Sequence, residues 1–186
     1  MMKEKGKVLW ITRTAVFIAL LVVLQTATAP IGNTLVTGSI VNLLLTVSVM
    51  ACGLASGLSV AVVSPIMAKL IGIGPFWSLI PFVIAGNATL VSLWHFIGNR
   101  KTGRKNTAWI TALICAAAAK FLVLYIGIVR IAVPVFLGLP EQQAAVISSM
   151  FSIPQLVTAI IGGMMAIALL PTIKKAIGKT HNMDTP

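Results

Sequence analysis

Six long apolar stretches, set apart by short polar or glycine- and proline-rich breaks, take up almost all of the 186 residues. A helix needs a run of about 20 predominantly apolar residues to cross the hydrocarbon core of a bilayer, so the pattern predicts six transmembrane helices. The first is expected over 8–29, ending before Pro30 and a Gly32-Asn33 turn. A polar, small-residue stretch over 32–39 is expected to form a loop leading to the second, 40–53. That segment is short for a span and should tilt or draw on the residues before it. The third, 56–71, contains Pro65 and stops at Gly72-Ile73-Gly74-Pro75. The fourth, 76–98, contains Pro81 and Gly86, and the fifth, 108–131, is followed by Pro134 and Gly138-Leu139-Pro140. The sixth, 144–170, holds Pro154 inside it and has Pro171 just past its end. Neighbouring helices re-satisfy backbone groups freed by proline in a membrane, so each internal proline reads as a kink as readily as a functional break. No internal repeat of the kind found in inverted-repeat transporters is evident. The whole chain, 1–186, reads as one all-α, six-helix transmembrane domain with short basic tails at 1–7 and 174–186.

Composition sharpens this. Hydrophobic residues make up 58% of the chain and charged ones 9%, with a mean hydropathy of +1.03, whereas a soluble domain is about 25% charged. The net charge of +11 comes from 14 Lys and Arg against Glu4, Glu141 and Asp184. On a soluble protein that surplus would suggest nucleic acid; here it falls in clusters between apolar runs, which argues against such a partner. Lys3, Lys5, Lys7 and Arg13 flank the first segment, Arg100, Lys101, Arg104 and Lys105 separate the fourth and fifth, and Lys174, Lys175 and Lys179 follow the sixth. With six spans all three clusters fall on one side, and the positive-inside rule makes that side the cytoplasm. Both termini are then cytoplasmic, in a multi-pass protein of the cell membrane. The N-terminus also resembles a signal peptide, with Ala27-Thr28-Ala29 like a cleavage site. A signal core is only about 7–15 residues long; counted from Val8, with Arg13 snorkelling to the headgroups, the run is long enough to span and reads as a retained helix. Cys52 and Cys115 lie in apolar runs with no CxxC or Cys/His cluster, so they read as packing residues, with no metal or cofactor implied.

Three cations remain outside the topology signal: Lys69, Lys120 and Arg130. The third and fifth helices run outward in this arrangement. Lys120 is about 12 residues into the fifth, roughly 18 Å along at 1.5 Å per residue, and Arg130 and Lys69 come near the outer ends of their helices. A charge at membrane depth is costly unless paired or hydrated and by default marks a functional site. The one acid on that side is Glu141, so a bound anion would balance the surplus. Lys69 and Arg130 read equally well as snorkelling to the outer headgroups; Lys120 is too deep for that. Asn87, Gln155 and Tyr125 fall at similar depth, though Lys120 and Tyr125 are five apart and so displaced around the helix. Trp94 reads as an interfacial anchor, and Trp77, beside the Gly-Pro loop, as a surface on which a ligand can stack. No span holds a carboxylate, there is no GxxxxGK[ST] phosphate loop, and His95 stands apart from any catalytic partner. The chain does not read as an enzyme, and any solute movement must draw its energy from a partner.

Taken together, these features resemble the substrate-binding S component of an energy-coupling factor (ECF) transporter. Ala15-Val16-Phe17-Ile18-Ala19, in the first span after a basic N-terminus, is similar to the AxxxA that such proteins present to a shared scaffold subunit; small residues four apart let another helix approach closely. The resemblance implies a subunit that captures a vitamin or related micronutrient at the outer face of a bacterial membrane. It also implies a transmembrane scaffold and two ATPase subunits as partners, and tipping in the membrane to release the ligand inside. Carried onto this chain, it points to the 32–39 stretch, Asn87, Lys120, Tyr125 and Gln155. No signature selects among riboflavin, folate, pantothenate and thiamine types, and the cation surplus favours an anionic ligand. The competing reading is a non-transporting membrane assembly subunit without a ligand pocket, whose main features are Ala15, Ala19 and the Gly162-Gly163 pair. A small intramembrane enzyme using Cys115 or His95 lacks any catalytic partner.

Overall fold

The chain folds, in a computed structural model, into a bundle of six long helices with one short helix on its outer side. The structure describes residues 2–100 and 105–183, and the side chains of 6–100 and 106–175. Lys101 and Arg104 of the basic clusters, and the side chains of Lys3, Lys5, Lys105 and Lys179, lie outside the described residues. The helices are α1 (Met2–Thr28), α2 (Thr34–Cys52), α3 (Leu54–Leu70), α4 (Ile80–Gly98), α5 (Lys105–Leu124), α6 (Glu141–Met150) and α7 (Ile153–Met183). There is no strand among the described residues. Five helical segments are long and apolar enough to cross a membrane, and α3, at 17 residues, is a shorter apolar helix.

The ends of the helices alternate as the charge clusters require. Early in α1, Thr14 Oγ1 donates to Ser56 Oγ at 2.9 Å, at the start of α3. Lys174 of α7 lies over the ring of Trp109 at the start of α5, 5.7 Å from its centroid. The opposite ends meet where Thr37 Oγ1 of α2 donates to Thr28 Oγ1 of α1 at 3.1 Å. Gly53 alone joins α2 to α3, at φ 90° and ψ 174°; this left-handed φ favours a residue without a Cβ.

Four boundaries differ from the sequence-based expectation. The 32–39 stretch is mostly helix: Asn33 Oδ1 accepts from Leu35 N at 2.9 Å and caps α2, satisfying one of the orphan amides of a helix start. This lengthens the second span at its outer end. The fifth helix does not stop at Ile131 but continues as a π-helix over Tyr125–Leu137, with Pro134 inside it. The sixth segment is two helices, broken at Phe151-Ser152, so Pro154 sits in the first turn of α7, where its missing N–H costs nothing. Pro171 in turn lies inside α7, three residues before Lys174.

The core is laid out in helical stripes. On α4, Asn87, Leu90, Val91, Trp94 and Gly98 are buried, a spacing of three and four that defines one face. Trp94 is therefore 0% exposed and not an interfacial anchor. On α5 the stripe is Ala112, Leu113, Ala116, Ala117 and Lys120. A methyl group at Gly162 of α7 would meet the Ser39 carbonyl oxygen of α2 at 2.5 Å, and one at Gly163 would collide with Leu113 of α5. The Gly162-Gly163 pair thus brings helices of this chain together and presents nothing to a partner. Cys52 is half-buried and Cys115 is exposed, so the latter is not a packing residue of the core.

Candidate functional site

Lys120 lies at the heart of the bundle, 3% exposed. Its Nζ donates to Asn42 Oδ1 at 2.6 Å and to Asn87 Oδ1 at 2.7 Å, short distances of the charge-assisted kind. Asn42 Nδ2 donates in turn to Thr158 Oγ1 at 3.2 Å, so one network ties α2, α4, α5 and α7. An ammonium has three N–H donors and no acceptor, and two of the three are engaged here. Among the described residues no carboxylate touches it; Glu141 is exposed at the start of α6.

Above this network is a cavity of about 180 Å³, lined from α1, α2, α3, α4, α5 and α7 and from the loop after α3. Lys120, Asn42 and Asn87 are among its walls, with Gln25, Ser64, Thr34, Thr37 and Gln155 as further polar groups. The apolar walls include Val41, Pro65, Val83, Leu124 and Phe151. On the outer side the chain after α3 folds back, Ile73 N and Gly74 N both donating to the Ala68 carbonyl at 3.0 and 2.9 Å. Gly74 sits so close to Lys69 that a Cβ there would lie 2.6 Å from its backbone nitrogen. The turn therefore lies flat over the cavity edge with Ile73, Gly74 and Pro75 facing it. Across the bundle, Gln155 Nε2 donates to the Met150 carbonyl at 3.2 Å and bridges the break between α6 and α7.

Two buried polar atoms in this wall have no protein partner. Gln25 Oε1 and Ser64 Oγ are buried and make no hydrogen bond; Gln25 is 8% exposed and Ser64 1%. Leaving such a group unpaired costs about 1–3 kcal/mol. Both residues line the cavity.

Of the residues singled out in the sequence, Asn87, Lys120 and Gln155 come together in the cavity wall. The other four are placed elsewhere. Tyr125 stacks on Phe121 with ring centroids 5.7 Å apart, Trp77 is 56% exposed, Arg130 is exposed and Lys69 is half-buried behind the Gly74 turn. None of these lines the cavity. Gln25, Asn42, Ser64 and Phe151 were not singled out. For Gln25 and Asn42 the signal was present, each being an amide side chain within an apolar span.

Away from the cavity, α1 turns one face outward. Ala15 and Ala19 are exposed, beside Val16 and Val23 at 58% and 62%, while Thr14, Leu21 and Gln25 face the bundle.

The family model for the substrate-specific component of ECF transporters matches residues 10–174, and no curated protein and no solved structure matches the chain. That match runs through all six long helices, including every residue of the cavity wall. The chain is an integral, multi-pass membrane protein and belongs to the substrate-specific components of ECF transporters.

Proposed function

We propose that this chain captures an anionic micronutrient of the vitamin type from the outer side of the membrane and passes it inward with the energy of ATPase subunits. The observation that carries this reading is the buried Lys120, held by two amide oxygens in a cavity wall without a carboxylate. A buried cation with neutral partners retains most of its desolvation cost, and a bound anion is the partner that offsets it. The cavity belongs to the outer half because its walls include the outer ends of α1 and α2 and the loop after α3. The exposed Ala15–Ala19 face of α1 supports docking on a scaffold helix, since small residues permit close backbone approach. Against an assembly subunit without a pocket stand the cavity itself and the use of Gly162 and Gly163 within the chain.

The direct test is mass spectrometry of the denatured, detergent-purified protein, which is expected to release a small anion. A protein that arrives empty, and whose melting temperature responds to no vitamin or related anion, would contradict the reading.

A further inference from the structure

We infer that the molecule taken by this cavity is a small, non-aromatic monocarboxylate with a neutral hydroxyl or amide group at the end away from its acid group. The inference rests on the cavity being the substrate site and narrows it to a chemical class.

Charge sets the first limit. Lys120 is the single cation of the wall, and two of its three N–H donors are taken by Asn42 and Asn87. One remaining ammonium donor suits a carboxylate. A phosphate ester brings a charge of about −1.5 to −2 and three strong acceptor oxygens, and no arginine or second lysine lines the cavity to meet them.

The outer end is polar and neutral. Gln25, Thr34 and Thr37 line it, and an amide and two hydroxyls both donate and accept. A hydroxyl or amide on the ligand suits them. The two ends lie at different depths. Gln25 is three residues from the outer end of α1 and Asn42 eight from the outer start of α2, roughly 5 and 12 Å at 1.5 Å per residue. The acid group therefore enters first and the neutral polar group stops beneath the outer turn, the two joined by a short chain.

Size and wall chemistry set the last limit. At about 180 Å³ the cavity is below the about 300–1,000 Å³ of sites that take drug-sized ligands. Its apolar walls are aliphatic except for Phe151, so no pair of rings stands ready to sandwich a fused aromatic system.

The test measures thermal stabilisation and binding affinity of the full-length chain in detergent. The probes are pantothenate, lactate, glycerate and N-acetylglycine, each beside its neutral alcohol or amide counterpart, with glycerol 3-phosphate, thiamine and riboflavin as contrasts. At least one carboxylate should stabilise the protein where its neutral counterpart does not. Its affinity should fall about 10–100-fold in Lys120→Met, as for loss of a charged hydrogen bond, and several-fold in Gln25→Ala. Stabilisation by riboflavin, thiamine or the phosphate ester, equal stabilisation by acid and neutral counterpart, or silence from every carboxylate overturns the class. A contrast compound that binds leaves the substrate-binding reading standing. Silence from every compound, with no molecule retained through purification, sinks both.

Discussion

The inner and outer halves of the bundle are made from the same helices and packed differently. Toward the cytoplasm, Trp94, Leu90, Val91, Leu113 and Met50 form one apolar core, closed by Gly98 against Met50 and Gly163 against Leu113. Toward the outside, the same stripes change character at one level. On α4 the stripe passes from Leu90 to Asn87, on α5 from Ala117 to Lys120, and on α7 from Gly162 to Thr158 and Gln155. The interruptions gather there too: Pro65 in α3, the Gly74 turn, the π-helical end of α5 and the break between α6 and α7. Lipid tails are as apolar as leucine, so helices in a bilayer associate through packing and interhelical hydrogen bonds. The inner half relies on the first; the outer half adds the second, with the Lys120 network beside its own apolar cluster of Leu79, Leu124, Ile128, Ala132, Ile147 and Phe151, and encloses the cavity.

This contrast can be broken from either side. The largest effect on stability is expected from Trp94→Ala, which should lower it by about 3–5 kcal/mol, the usual cost of emptying an aromatic core site. A thermal melt in detergent reads it, and a variant that melts like the parent would refute the idea that the inner half is the tightly packed one. Lys120→Met should divide the effects the other way. Affinity for the retained anion, read by calorimetry, falls about 10–100-fold, while the melting temperature drops less than in Trp94→Ala. Gly162→Ala pushes a methyl into the α2 backbone and should cost about 1–3 kcal/mol as an overpacking change, visible in the same melt.

Two smaller effects sharpen the picture at the surface. Ala15→Leu with Ala19→Leu places bulk on the exposed face of α1 and should reduce co-purification with the scaffold subunit several-fold, leaving ligand affinity intact. Loss of ligand binding in this variant would mean that α1 shapes the cavity more than it docks. Arg130→Gln and Trp77→Ala, both outside the cavity wall, should leave affinity within about twofold, as for surface changes of up to about 0.5 kcal/mol. A tenfold loss in either would show that the outer surface closes over the ligand.

The sequence by itself determined the number of long helices, the grouping of the charges and the deep position of Lys120. Each of these depends on the bilayer acting locally: backbone groups must be satisfied within each helix, basic loops stay inside, and a deep cation needs a reason to be there. Even the Ala15–Ala19 spacing was legible, because it concerns one helix face. The tertiary structure alone decided which polar residues meet. Tyr125 is five residues from Lys120, about 140° around the helix at 3.6 residues per turn, and ends against Phe121 outside the cavity. Asn42, Gln25 and Ser64 join Lys120 from three other helices, and the rotation of each helix is set by its neighbours. Trp94 belongs to the core for the same reason, since its position near a helix end mattered less than the face that α2, α5 and α7 cover. The break at Phe151-Ser152, which delivers Phe151 and Gln155 to the wall, was hidden behind a proline that looked equally suited to a kink.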